Sequence, residues 1–127
     1  MADITTLDGV RFLFDPGAIA AVADRDAGAT QPGTVIYGLA PAALRVSGSV
    51  DALLQRLGLA SSFVKLTRAD GSPILINGKS VGVARQPLSG EYASGVSSVV
   101  FAGSFTTGVR ESLDEVRQAI NRVGGHL

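Results

Sequence analysis

The chain has 127 residues, the length of one globular domain, and 46% of them are hydrophobic while only 17% are charged. Its 11 Lys and Arg residues balance 11 Asp and Glu residues, so no net charge keeps copies of the protein apart. The lack of cysteine excludes disulfides, thiolate zinc sites and a cysteine nucleophile, and no apolar stretch approaches the ~18 residues of a membrane span.

The first half of the chain predicts five short strands. A strand at 3–7 reaches Asp8-Gly9, a dipeptide that favours a tight hairpin, and a second strand at 10–14 then folds back antiparallel. Turn residues end this strand at 15–17 and fill a polar loop at 24–33. The remaining strands are predicted at 19–23, 35–39 and 44–46.

A short amphipathic helix ends the first half. Ser49 is its predicted N-cap and Gly58 its end, and the apolar residues between them are spaced for one helical face. Ala52 stands where the Glu of a capping box would stand, so this helix start is less well satisfied. The apolar positions are Val50, Leu53, Leu54 and Leu57.

The second half predicts the same order of elements. An Asp70-Gly71 turn joins its first two strands, and a polar loop at 86–95 interrupts the later ones. Ser112 and Glu115 form a capping box for a helix that Gly124-Gly125 ends. Its apolar stripe is Leu113, Val116, Ile120 and Val123. The strands are predicted at 63–68, 73–76, 81–85, 96–102 and 105–110.

The two halves align as an internal repeat. Residues 4–15 match residues 66–77 with their Asp-Gly turns superimposed, and the later blocks match at offsets of 62 to 64. We interpret the chain as a tandem duplication with repeats at 3–58 and 63–124, joined by a connector too short to separate two bodies. The predicted fold is α+β and strand-dominated. It is one compact domain (1–127) of two antiparallel, hairpin-rich units with pseudo-twofold symmetry, each closed by a helix that covers its sheet.

The second unit resembles a protein family. The segment 64–71 (VKLTRADG), the segment 74–77 (ILIN) and the helix start at 109–116 (VRESLDEV) resemble the FlbD-type flagellar and swarming proteins, over about residues 63–123. Similar short proteins occur in phages. The resemblance implies an accessory or assembly role without catalysis. The chain departs from the family in its longer loop at 86–95 and in being a fused pair.

No group of residues predicts a catalytic, cofactor-binding or metal site. His126, the only histidine, lies beside the C-terminus, where no third group is expected to hold an imidazole for catalysis. Asp24-Arg25-Asp26 begins like a calcium loop, but Val35 stands where the bidentate Glu is needed. The glycines at 90 and 95 are not followed by the Lys and Ser or Thr of a phosphate-binding loop. We therefore expect no enzyme, no cofactor and no small-molecule substrate.

An excess of arginine keeps nucleic-acid binding open as an alternative. Arg outnumbers Lys by nine to two, and four arginines near strand ends are expected to face outward, as in small β-barrels that bind single strands. Zero net charge and the lack of Trp count against this alternative, and the phenylalanines fall in strand runs typical of a core. The four arginines are Arg45, Arg68, Arg85 and Arg110.

The function that the sequence favours is a non-enzymatic protein–protein interaction or assembly module, an accessory or structural component of a phage-related or flagellar machine. Runs such as Phe12-Leu13-Phe14 place apolar side chains on both faces of a strand, so self-association or a protein partner is expected. We expect synthesis in the cytoplasm, without a signal peptide, and incorporation into a larger particle. An enzyme subunit is the least favoured alternative. The candidate partner-binding residues lie in the polar loops of the two units: Asp24, Arg25, Asp26, Gln31, Arg85, Gln86, Glu91 and Tyr92.

Overall fold

The computed structural model describes residues 2–26, 33–92 and 94–127. These residues form ten strands in antiparallel sheets and two helices, which confirms a strand-dominated fold. The strands are β1 (Ala2–Thr5), β2 (Arg11–Phe14), β3 (Ala21–Ala23), β4 (Thr34–Tyr37), β5 (Leu44–Val46), β6 (Phe63–Thr67), β7 (Pro73–Asn77), β8 (Val81–Arg85), β9 (Ser98–Ala102) and β10 (Phe105–Val109). The helices are α1 (Val50–Leu57) and α2 (Leu113–Arg122).

The two Asp-Gly turns form as predicted. Gly9 and Gly71 have φ angles of +89° and +87°, which residues with a Cβ atom rarely adopt. The N–H of Gly9 donates to the carbonyl oxygen of Thr6 at 3.0 Å, and the N–H of Gly71 donates to that of Arg68 at 2.9 Å. Each turn therefore folds the strand that follows it back on the strand before it.

The strands form three antiparallel sheets. The central sheet has the order β5-β4-β3-β7-β6, the second sheet has the order β10-β9-β8, and β1 pairs with β2 as a separate N-terminal hairpin. The predicted units therefore do not keep separate sheets, because β7 of the second unit pairs with β3 of the first, with Ala21 opposite Ile76 and Val22 opposite Leu75. The apolar run 74–76 explains this pairing, since its side chains face both sides of the sheet and need cover on both.

Two apolar cores lie on opposite faces of the central sheet. Along β3, Val22 faces the first core while Ala21 and Ala23 face the second, as the two-residue alternation of a strand requires. The first core lies against α1 and the N-terminal hairpin, and the second lies against α2 and the second sheet. The buried residues of the first core are Ile4, Phe14, Ile19, Val22, Ile36, Val46, Leu53, Leu54 and Phe63. Those of the second are Ala20, Ala21, Ala23, Leu66, Ile74, Ile76, Val81, Val100, Ala102, Val109, Val116 and Ile120.

Both helices begin at the predicted caps. The Oγ of Ser112 accepts from the N–H of Glu115 at 3.2 Å, and the Glu115 carboxylate accepts from the N–H of Ser112 at 3.0 Å, so the capping box is complete. At α1, Ser49 accepts from the N–H of Ala52 at 3.1 Å, but Ala52 has no side chain with which to reciprocate. The capping box thus forms only at α2 of the two described helices.

Candidate protein interaction surfaces

The first candidate loop is held to the second unit by a buried arginine. Arg68 is only 4% exposed, so the prediction that it faces outward is wrong. Its Nη2 donates to the carbonyl oxygen of Arg25 at 2.8 Å, and its Nε donates to the Oγ of Ser72 at 2.8 Å. The guanidinium can be buried here because its fixed fork of donors meets acceptors in several directions. Arg68 therefore positions the backbone of Arg25 at the start of this loop. The candidate residue Gln31 lies outside the described residues.

The side chain of Asp26 is also turned toward the protein. The hydroxyl of Tyr37 donates to Asp26 Oδ1 at 2.6 Å, and the Tyr37 ring stacks on Phe105 with ring centroids 4.6 Å apart. Burial, followed by the neighbouring Asp26 carboxylate, raises the pKa of Tyr37 to about 12. Asp26 thus contributes to the structure of the loop base.

The second candidate loop is held together by an ion pair. The guanidinium of Arg85 donates to both carboxylate oxygens of Glu91, at 2.8 and 2.7 Å, and lies 5.3 Å from the centroid of the Phe101 ring. The carbonyl oxygen of Gln86 accepts from Arg85 at 3.0 Å. The Arg85 guanidinium and the N–H of Leu88 hold the pKa of Glu91 at about 2. These three candidate residues therefore shape the loop.

Contacts inside the protein also occupy arginines that nucleic-acid binding would need. Arg68 is buried, Arg85 is paired with Glu91, and Arg110 donates through its Nη2 to the carbonyl oxygen of Ala69 at 2.8 Å. Arg45 is exposed on β5. The arrangement does not present the four arginines as a free basic stripe.

The exposed large apolar side chains of the described residues lie in two places, the N-terminal hairpin and β8 with the loop that follows it. On β2, Phe14 enters the first core, whereas Leu13, its neighbour in the continuous apolar run, is 63% exposed. The sequence signal for such a face was the run itself, because successive strand residues face opposite sides. The exposed large hydrophobic residues are Leu7, Val10 and Leu13 on the hairpin, Val83 on β8, and Leu88 and Tyr92 in the loop after it.

Both places include a strand edge. Within the described part of the chain, β2 pairs only with β1, and β8 pairs only with β9. The free edge of such a strand offers N–H and C=O groups to another strand, and it attracts association when its side chains are apolar. A groove of about 440 Å³ runs beside β8, between Ala84 of that strand and Leu113 and Arg117 of α2. We refer to this edge and groove together as the β8 surface.

Two kinds of feature are absent from residues 2–26, 33–92 and 94–127. No cluster of three or more His, Asp or Glu side chains in these ranges is arranged to hold a metal ion. Neither of the two helices described there has the length and apolar character needed to cross a membrane. No protein family, curated protein or solved structure matches the chain at a significant level.

Proposed function

We propose that this protein is a non-enzymatic interaction module, an accessory or structural component of a larger protein assembly. The observation that carries the proposal is the coincidence of exposed apolar side chains with unpaired strand edges, Leu13 on β2 and Val83 on β8. Zero net charge adds support, because approaching protein surfaces meet no overall repulsion. The sequence resemblance supports a flagellar or phage-related assembly, and we propose incorporation into it after synthesis in the cytoplasm.

We also propose that the module arose by tandem duplication and has pseudo-twofold symmetry. The support is the order of elements, since a hairpin, three strands and a helix follow one another in β1 to α1 and again in β6 to α2. The capping serines Ser49 and Ser112 fall at equivalent places in this order.

Site-specific photo-crosslinking in the native cells tests the interaction function. A benzophenone amino acid is placed at Leu13 and, separately, at Val83, with the exposed helix position Gln118 as the control. We expect a discrete protein adduct from each of the two strand positions and none from Gln118. If irradiation gives no adduct above the control at either strand position, the interaction function is wrong.

A further inference from the structure

The exposed strands β2 and β8 each align in sequence with another strand, and those two other strands pair with each other. The offset of 62 residues that aligns the two units places β2 on β7 and β8 on β3. In the central sheet β7 and β3 are neighbours, and Leu75 lies opposite Val22. The residues aligned with this pair are Leu13 and Ala84.

Burial differs sharply between the paired strands and their unpaired counterparts. All three residues of β3 are buried, whereas Val83, at the centre of β8, is 52% exposed. Leu75 packs against the first core, whereas Leu13 is 63% exposed. The aligned strands therefore differ in burial. β3 and β7 cover each other in the central sheet, whereas β8 is left at a sheet edge and β2 in a separate hairpin.

We propose that β2 of one copy pairs antiparallel with β8 of a second copy. This inference rests on the proposed assembly function and names the partner as another molecule of the same chain. By analogy with the β3–β7 register, Leu13 lies opposite Ala84 and Phe14 lies opposite Val83 of the neighbour. The joined sheet has the order β10-β9-β8-β2-β1, which reproduces the order β5-β4-β3-β7-β6 of the central sheet.

The groove of the β8 surface fits the side chain that this register brings to it. In the central sheet Leu75 packs against the core that contains Val22 and Leu54, and it lines a cavity together with Val50. The residues aligned with Val22, Val50 and Leu54 are Ala84, Leu113 and Arg117. These three line the open groove beside β8, so Leu13 of the second copy fills the space that corresponds to the one Leu75 occupies.

Charged residues beside the two surfaces are complementary. Asp3 lies opposite Leu13 in the hairpin and forms an ion pair with Arg11 at 3.0 Å. Asp114 and Arg117 form an ion pair at 3.2 Å at the mouth of the groove. Docking allows these exposed pairs to exchange partners, with Asp3 facing Arg117 and Arg11 facing Asp114. Exposed ion pairs contribute little affinity, so these charges are compatible with the contact and the apolar groove drives it.

The contact is head-to-tail, because each copy provides one hairpin and one β8 edge. Two different surfaces that recognise each other give a heterologous interface, which produces a ring where the rotation closes and a filament where it does not. In a closed ring every β2 edge and every β8 edge is paired.

Sedimentation velocity on the purified full chain tests the partner assignment. We expect wild-type protein to self-associate below about 100 μM, and Leu13→Arg to weaken the association by about tenfold or more, because it places a charge in the groove. Leu7→Arg is the matched control, since Leu7 is 64% exposed on the same hairpin but lies outside β2. Association by Leu7→Arg should equal that of the wild type.

Mixing two defective variants tests the head-to-tail geometry. Leu13→Arg retains an intact β8 surface, and Ala84→Arg retains an intact hairpin. An equimolar mixture should therefore form a 1:1 complex that grows no further, although each variant alone is monomeric. The register can be tested with single cysteines, because the chain has none of its own. A Leu13→Cys copy and an Ala84→Cys copy should form an intermolecular disulfide on oxidation. As the control, a Leu13→Cys copy and a copy with Thr106→Cys on β10 should form none.

A gain-of-function variant follows from the same register. In the central sheet the side-chain amide of Asn77 donates to the carbonyl oxygen of Ile19, and the aligned residues are Asp15 and Val81. Asp15→Asn supplies the missing donor, so the association should tighten by about two- to tenfold.

Several results would overturn the partner assignment. These are a wild-type monomer at about 100 μM, equal effects of Leu13→Arg and Leu7→Arg, or no disulfide between a Leu13→Cys copy and an Ala84→Cys copy. A cellular adduct from Leu13 to a different protein would also overturn it while leaving the interaction function intact. Loss of all adducts in the cellular experiment would instead remove the function itself.

Discussion

The side-chain amide of Asn77 donates a hydrogen bond to the carbonyl oxygen of Ile19 at 3.0 Å, although the two residues are 58 positions apart. The backbone N–H of Asn77 also donates to the carbonyl oxygen of Ala20 at 2.9 Å. Asn77 is 3% exposed and its Oδ1 accepts from the N–H of Lys79. One buried amide therefore ends β7, begins the turn after it, and joins the second unit to the first.

Asn77→Asp should destabilise the protein by about 1–3 kcal/mol at pH 7, because a carboxylate cannot donate to Ile19 and is costly to bury. Urea unfolding measures the change. Asp15→Asn is the control at the aligned, exposed position. Its free energy of unfolding should stay within about 0.5 kcal/mol of wild type. All variants are compared at a concentration where they have the same oligomeric state. Equal destabilisation by both substitutions would contradict the role of the Asn77–Ile19 bond.

Arg68→Met should destabilise the fold by about 1–3 kcal/mol, since it strands the carbonyl oxygen of Arg25 and the hydroxyl of Ser72 without their donor. Arg68→Lys should recover only part of this loss, because an ammonium group cannot reach both acceptors with the fixed geometry of a guanidinium. The exposed Arg45 provides the matched control as Arg45→Met. Urea midpoints decide the matter, and similar values for Arg68→Met and Arg45→Met would show that the buried contacts contribute nothing.

Tyr37 should make the protein sensitive to alkali. The fold favours the neutral phenol and raises its pKa from 10.0 to about 12, chiefly by burial. The stabilisation is therefore complete below pH 10 and is lost as the pH rises toward 12. Tyr37→Phe should remove this part of the pH dependence, as followed by unfolding measurements across that interval. Asp26→Asn should lower the pKa of Tyr37 but keep it above 10.0, and a Tyr37 that ionises at its ordinary pKa in the folded wild type would refute the argument.

Ser112→Ala should cost more stability than Ser49→Ala. A lost N-cap costs about 0.5–2 kcal/mol, and only Ser112 has the reciprocal bond from its N–H to Glu115. The N–H of Ser112 lowers the pKa of Glu115, so this contribution is present above the unfolded pKa and declines as the pH falls through the folded one. Urea midpoints at neutral and acid pH check both statements. Equal costs at neutral pH would remove the energetic role of the capping box.

The sequence by itself predicted the elements whose causes lie within a few residues. The Asp8-Gly9 turn, the Ser112–Glu115 capping box and the end of α1 at Gly58, which has a φ of +71°, all formed at the predicted positions. Such features depend on local φ preferences and on side chains that bond to nearby backbone groups. Strand ends shifted by a few residues, because they depend on where a neighbouring strand stops.

Only the tertiary structure decided which strands are neighbours and which equivalent residues are buried. Leu13 and Leu75 have the same local pattern, yet Leu13 is exposed and Leu75 packs against the first core, because β7 found a partner in β3. The sequence predicted that Arg68 faces outward, but in the structure the carbonyl oxygen of Arg25 and the hydroxyl of Ser72 accept hydrogen bonds from its buried guanidinium. Periodicity determines which way a side chain faces along its strand, but burial depends on what the rest of the chain packs against that face, and that information is spread over residues far apart in sequence.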